Sequence, residues 1–290
     1  MSHQKLTKFR ECILLAKKLL ICDLDGTLLD DINGLSPKYA NRLNSLLDKG
    51  IDLTIATGRD FENTHIAIRN THIRNPVILT NGAIMADYPS GSVLDYLTIP
   101  HETVQNIYTL ADKLSLQTIV FAYYDKKNGY PRFIKGNWLD FNFIKRLHPN
   151  EFYPYLEDPV ISIQFMYPKK RLDEIYELSR NDEKILQGSH ILYFEDSFLP
   201  GMYWLEYNPL NARKEVMVES LLKKKGYSVE DTIIFGDNYN DVGMFQLAGK
   251  VVVVENAPEE IKTKYADHVC PSNKDGGVLQ YIEQHLDELV

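Results

Sequence analysis

Two aspartates two residues apart, Asp23 and Asp25, end the apolar run Leu19 to Leu24 and lead into Gly26-Thr27. Where strand geometry persists, side chains two apart project to the same side, so this spacing sets two carboxylates together at a strand mouth. Left uncompensated they repel each other. A hard cation with oxygen ligands removes that cost, and Mg²⁺ takes one or two carboxylates, waters and substrate phosphate oxygens. A second acidic turn, Gly236-Asp237-Asn238-Tyr239-Asn240-Asp241, follows another apolar run, and its Asp237 and Asp241 are candidates for the other side of the same site. Four carboxylates with a dication point to a phosphate monoester as substrate, because the metal neutralises the anion and lets an anionic oxygen attack it.

Two further turns belong with these, Thr57-Gly58-Arg59 and Asn81-Gly82, each again after an apolar run. Taken singly, every one of these turns is an ordinary loop start, and Asp237 to Asp241 alone would serve as a helix N-cap. Their joint placement decides, since ligands of open α/β sheets bind outside the carboxyl ends of the strands. Lys214 begins a helical stretch, where a cation is badly placed for the macrodipole. Its functional reading has the ammonium in the acidic cleft, pairing with Asp23 and the transferring phosphoryl group. Arg213 competes for that role on sequence alone.

The elements that must position these residues alternate. A strand from Leu19 is followed by a helix opened by Ser36-Pro37 and stopped by Gly50, a strand Ile51 to Ala56, a helix from about Asp60, and a strand Pro76 to Leu79. The rhythm then breaks. A hairpin around Pro89-Ser90-Gly91, a helix Glu102 to Leu114, strands at Gln117 to Tyr124, Val160 to Tyr167, Ile191 to Glu195 and Trp204 to Tyr207, and a helix near Arg171 to Ser179 suggest an α+β insertion. The aromatic-rich stretch from Lys126 to Pro159 is left unassigned. From Lys214 the alternation resumes with strands Thr232 to Phe235 and Lys250 to Val254 and a last helix Gly277 to Leu289. The expected fold is α/β, a doubly wound parallel-sheet (Rossmann-like) core formed by 1–83 and 208–290, with an inserted α+β cap domain at 84–207.

The 290 residues carry 32 Lys+Arg against 40 Asp+Glu, a formal charge of −8 that offers no grip on a phosphate polymer, so nucleic acid is not expected as a partner. Three scattered cysteines, Cys12, Cys22 and Cys270, give neither a disulfide framework nor a metal spacing. The apolar stretch Cys12 to Ala16 is cut by Lys17-Lys18, too short for a signal or a membrane span. A cytoplasmic protein, monomer or homodimer, without a membrane partner is expected, the Lys5 to Leu20 stretch being a helix or extension.

With these residues in place, the sequence resembles the haloacid dehalogenase-like superfamily, specifically the Cof-type phosphatases with a C2-type (IIB) cap. Asp23-Leu24-Asp25-Gly26-Thr27-Leu28-Leu29 looks like its first motif, Thr57-Gly58-Arg59 its second, Lys214 its third and Gly236 to Asp241 its fourth. Asn81-Gly82-Ala83 and Asn256-Ala257 are also typical of this branch, while Glu215 stands where the family usually has Gly. The resemblance implies that Asp23 is a nucleophile forming an aspartyl-phosphate and Asp25 the acid/base, with Thr57 and Lys214 completing the catalytic set. It implies Mg²⁺ held by Asp23, the Asp25 main-chain carbonyl, Asp237 and Asp241. Thr57, Gly58, Arg59, Asn81, Lys214 and Asn240 would meet a small phosphorylated metabolite, with the cap excluding water and reading the leaving group. The activity implied is a phosphatase. Rival readings are a phosphosugar mutase of the same fold and a non-catalytic phosphometabolite-binding protein.

Overall fold

A computed structural model describes residues 17–31, 34–137, 144–196 and 199–290; the part of the expected N-terminal element between Lys5 and Ala16 lies outside the described residues. In chain order the strands are β1 Leu19–Cys22, β2 Asp52–Ile55, β3 Val77–Leu79, β4 Ile84–Ala86, β5 Val93–Tyr96, β6 Val120–Asp125, β7 Tyr130–Lys135, β8 Val160–Pro168, β9 Ser189–Glu195, β10 Met202–Pro209, β11 Thr232–Gly236, β12 Lys250–Val254 and β13 His268–Cys270. They fall into two compact units. One comprises the chain up to Leu79 together with Asp87–Gly91 and Val218–Val290, and the other comprises Thr80–Ala86 and Ser92–Met217.

The first unit is built on a parallel sheet of order β13-β12-β11-β1-β2. All four residues of β1 are fully buried, which is why that strand reads as an unbroken apolar run rather than an alternating one. Register matters for function. Cys22 lies opposite both Phe235 of β11 and Ile55 of β2, so the chain leaves all three strands at one level and Asp23, Gly236 and Ala56 start their turns side by side. The interleaving of β1 between β2 and β11 is the switch-point arrangement expected from the doubly wound reading. β3 joins β2 through a single parallel bridge, Ala56 with Ile78.

The helix Pro37–Leu47 starts at Ser36-Pro37 as expected and buries Tyr39, Ala40, Leu43 and Leu46. Ser36 makes no side-chain cap; its own N–H donates instead to Asp30. The last expected helix is two, Gly277–Gln284 and Leu286–Leu289, broken at His285. The three-residue β13 is too short to show a period and was not expected.

At the amino ends of these strands Asp52 accepts hydrogen bonds from Lys225 Nζ at 2.8 and 3.0 Å, from the Tyr227 hydroxyl at 2.7 Å and from Asn75. Burial alone would raise this carboxyl, but the donors outweigh it and hold Asp52 below the usual carboxylate range. Its stabilisation is therefore complete above the unfolded value, near ~3.9, and is lost as pH falls through the lower folded value. Replacing Asp52 by Asn is expected to cost about 2 kcal/mol near neutral pH, as both partners are only about one-fifth exposed. Denaturant melts should show the gap between wild type and Asp52→Asn flat down to about pH 5 and closing below about pH 4; a pH-independent gap would assign the loss to packing.

The second unit carries an antiparallel sheet of order β7-β6-β8-β10-β9. Helices His101–Lys113 and Lys169–Ser179 cover one face, where Val104, Ile107, Leu172 and Ile175 pack on Phe121, Ile163, Phe165 and Leu205. The opposite face holds a smaller apolar cluster of Val120, Met166 and Trp204. The unassigned stretch contributes β7 and a short helix, Pro149–Phe152, whose Phe152 stacks on Tyr108 at 5.2 Å, so these rings are core of the unit. β4 and β5 pair antiparallel, the expected hairpin.

Candidate active site

The turn after β1 is shaped by what it must approach. Gly26 has φ +81°, and a β-carbon there would stand 2.5 Å from Asp237 Oδ2, so only glycine brings this turn against the acidic loop. Thr27, buried, donates its hydroxyl to Asp237 Oδ1 at 2.7 Å, tying the first motif directly to the fourth. Asn256 donates to the Gly26 carbonyl at 2.8 Å and accepts from the Asn273 main-chain N–H, and the Asn273 side-chain amide in turn donates to the Leu29 carbonyl. The residue-by-residue reading gave neither Thr27 nor Asn256 a role; the signal was a threonine and an asparagine at turns beside carboxylates, visible only as motif letters.

The loop after β11 folds back on itself. Asp241 is fully buried, and its Oδ2 accepts the N–H groups of Asp237 at 3.1 Å and Asn238 at 3.2 Å. A β-carbon on Gly236 would come within 2.7 Å of that same oxygen, which explains the glycine that ends β11. As a result Asp23, 5% exposed, Asp237, partly buried, and Asp241 each present an oxygen within 4.8 Å of the other two.

Three such carboxylates can hold a divalent cation. The donor set is all oxygen, which suits a hard ion, and the span is close to the roughly 4 Å across the ligand shell of Mg²⁺. The nearby thiol is not a competing ligand, since Cys22 Sγ donates to the Asp23 carbonyl at 3.1 Å.

Asp25 stands apart from this cluster. Its side chain is 54% exposed and forms a two-pronged ion pair with Arg59, Nε to Oδ2 at 2.8 Å and Nη2 to Oδ1 at 2.6 Å. Thr57, buried at the end of β2, accepts the Arg59 N–H at 3.1 Å on its hydroxyl oxygen, which leaves the hydroxyl proton available to an incoming oxygen. Gly58 and Asn240 are exposed. Asp60 caps the helix Phe61–Ile68 through the Asn63 N–H, fixing where the second turn ends.

The remaining two sequence candidates belong to the second unit. Asn81 sits in the left-handed region at φ 51°, and its Oδ1 is buried with no hydrogen-bond partner among the described residues. Lys214 opens the helix Lys214–Lys225 and is 2% exposed, whereas Arg213 before it is exposed. Burial on that scale separates the two basic candidates, because an ammonium is rarely withdrawn from water without a partner or a task.

The chain matches the family model for haloacid dehalogenase-like hydrolases over residues 20–282. It is similar to a 5-amino-6-(5-phospho-D-ribitylamino)uracil phosphatase of Bacillus subtilis, YwtE, at 27% identity over 93% of this chain and 98% of that protein. It is also similar to the pyridoxal phosphate phosphatase YbhA of Escherichia coli, at 24% identity over 93% of this chain and 98% of that one. A crystal structure of a haloacid dehalogenase-like hydrolase from Bacteroides thetaiotaomicron superposes with a TM-score of 0.74 at 25% identity, covering 92% of this chain and 98% of that one. No helix among the described residues is long and apolar enough to cross a membrane. A parallel core with an inserted antiparallel module, acidic turns on neighbouring strands and a family match over nearly the whole length lead to one assignment: the chain is a phosphoric monoester hydrolase and belongs to the haloacid dehalogenase-like family, in its Cof-type phosphatase branch.

Proposed function

We propose that the protein is a Mg²⁺-dependent phosphatase that hydrolyses small phosphorylated metabolites, sugar phosphates or related monoesters, through an aspartyl-phosphate on Asp23. The observation that carries this reading is the cluster of Asp23, Asp237 and Asp241 on adjacent strand ends. In it, an Asp23 oxygen forms a bond to phosphorus while the bond from phosphorus to the ester oxygen breaks, and Asp25 gives that oxygen a proton. Asp25 then takes a proton from water, whose oxygen attacks phosphorus; the Asp23 carboxylate is restored and inorganic phosphate leaves.

The Thr57 hydroxyl and the Gly58 N–H donate to the phosphate oxygens, and Lys214 balances the charge that builds on them. Asp23, Asp237 and Asp241, with the Asp25 main-chain carbonyl, would hold Mg²⁺. The ion, when bound, neutralises the phosphate and lets one anion approach another. Asn240 holds metal-bound water or orients Lys214 on the substrate side of the site, while Arg59 and Asn81 meet the ester. Residues 84–207 act as a cap that shields the reaction from water and reads the leaving group. The substrates for which the two relatives are named, a phosphorylated ribityl compound and pyridoxal phosphate, support the small-metabolite class. The three scattered cysteines, without the spacing of a disulfide framework, fit a reducing, cytoplasmic setting.

A phosphate-release screen over metabolite monoesters tests this directly. With Mg²⁺ the protein should liberate inorganic phosphate from several members, and chelation by EDTA should reduce the rate at least ~10²-fold, restored by added Mg²⁺. Isomerised hexose phosphate without release would assign a mutase instead, and no turnover of any ester would overturn the reading.

A further inference from the structure

The two aspartates of the first motif are held in place by different means. Asp23 directly follows β1, is 5% exposed, and has its N–H bonded to the Phe235 carbonyl at 3.0 Å, so the sheet fixes it. Asp25 lies inside the turn, where the Leu29 N–H closes back on the Leu24 carbonyl at 3.0 Å. Its own backbone (φ −75°, ψ 118°) and that of Gly26 (φ +81°) are non-helical. Peptide groups of that kind stand outside any regular ladder, so the aim of the Asp25 side chain depends on what the turn is tied to.

Thr27 ties the turn to Asp237 on the side of the acidic cluster. The other ties come from two asparagines on the loops after β12 and β13, although β11 separates those strands from β1 in the sheet. Asn256 Nδ2 donates to the Gly26 carbonyl at 2.8 Å, and its Oδ1 accepts the Asn273 N–H at 3.0 Å. Asn273 Nδ2 donates to the Leu29 carbonyl at 2.7 Å. The carbonyls at both ends of Gly26–Leu29 are thus clamped by one linked pair, and an amide engaged at both its oxygen and its nitrogen can take only one orientation. Asn256 is exposed, and an exposed side chain contributes little to global stability. What it does fix is the peptide next to Asp25.

We propose that Asn256, braced by Asn273, is a positioning residue for Asp25: it sets the Gly26 peptide so that the Asp25 carboxyl, once released by Arg59, meets the ester oxygen. The inference rests on the phosphatase reading and adds to it the residue that aims the proton donor. Two kinds of ester and a double-mutant cycle, all at saturating Mg²⁺, test it. The alkyl ester is whichever of glucose 6-phosphate, ribose 5-phosphate and glycerol 1-phosphate the wild type turns over fastest; the other ester is p-nitrophenyl phosphate.

Asn256→Ala should lower kcat on the alkyl ester ~10- to 10²-fold with little change in KM. On the p-nitrophenyl ester, whose leaving group needs no proton, it should leave a burst of about one equivalent of phenol per active site before slow turnover. In an Asp25→Ala background the same substitution should cost no more than about twofold, because a residue that acts through Asp25 has nothing left to position. Asn273→Ala should show the same pattern with a smaller loss, and it carries the test if Asn256→Ala does not fold. Equal loss on both esters without a burst would overturn the proposal. So would a loss as large in the Asp25→Ala background as in the wild type, which would mean that the clamp acts on Asp23 or on the main chain. In both cases the phosphatase reading survives, whereas a wild type that hydrolyses none of these esters removes both.

Discussion

Asp23→Asn should abolish phosphate release, by ~10⁴-fold or more, while leaving phosphate-ester binding largely intact. The two halves of this expectation have different origins. An amide oxygen has lost the negative charge that makes a carboxylate a nucleophile toward phosphorus, so the covalent step has no attacking group. The side chain keeps its volume and its place at the end of β1, where the main-chain N–H still bonds to the Phe235 carbonyl at 3.0 Å. Binding of the ester depends on the surrounding donors and should persist or tighten, since one of three close carboxylates is gone. Single-turnover kinetics with a labelled ester and calorimetric titration of the same ester check the two halves separately. Substantial residual turnover would transfer the nucleophile's role to water and leave the Asp23 cluster as a binding device.

The placement of that cluster was legible because it depends on strand ends, and strand ends are what apolar runs followed by glycine and acid reveal. Asp23, Asp237 and Asp241 lie more than two hundred residues apart in part, yet β1 and β11 are register neighbours and bring them to one level. Two α/β blocks sharing one parallel sheet leave the strand order open, and the fold realises it as β13-β12-β11-β1-β2. What could not be read was the set of contacts that hold the turns. Thr27 with Asp237, and Asn256 with Gly26, are single hydrogen bonds between loops, and no periodicity records them. Short elements were lost for the same reason: β13 and the helix Glu183–Leu186 contain less than a full repeat of any pattern.

The inserted module shows the complementary case. β8 and β10 were expected from apolar and aromatic runs, most of whose residues are buried, and the helix Lys169–Ser179 because its apolar residues recur on one side. Between them, the aromatic-rich stretch carried rings on both strand and helix, and rings fit either. Tyr123 stacked on Tyr155 at 4.6 Å and Tyr108 on Phe152 at 5.2 Å are long-range packing choices made only after the sheet exists. The polar residues on the other face of β10 were equally silent in sequence. Glu206 and Asn208 alternate with Leu205 and Tyr207, and only the registration with β8 brings Gln164 and Ser162 beside them.

The second large effect concerns Asp25, and its size should depend on the ester. General acid assistance is worth roughly 10² to 10⁴-fold when the departing oxygen would otherwise leave as a poorly stabilised alkoxide. Asp25→Ala is therefore expected to lower kcat on a sugar phosphate by that range, because both formation and breakdown of the aspartyl-phosphate need the missing carboxyl. A p-nitrophenyl ester needs no proton to depart, so its first step should survive while the attack of water on the intermediate remains slow. The signature is a burst of about one equivalent of phenol per active site, followed by slow turnover, with no such burst from the sugar phosphate. Asp25 is well placed for a role that requires movement: its carboxylate is more than half exposed and held by Arg59 in a pair that solvent screening keeps weak. Loss on both esters in equal measure, without a burst, would mean that the substitution had disturbed the turn at Gly26 rather than removed a proton donor, and Asp25 would then be a structural residue.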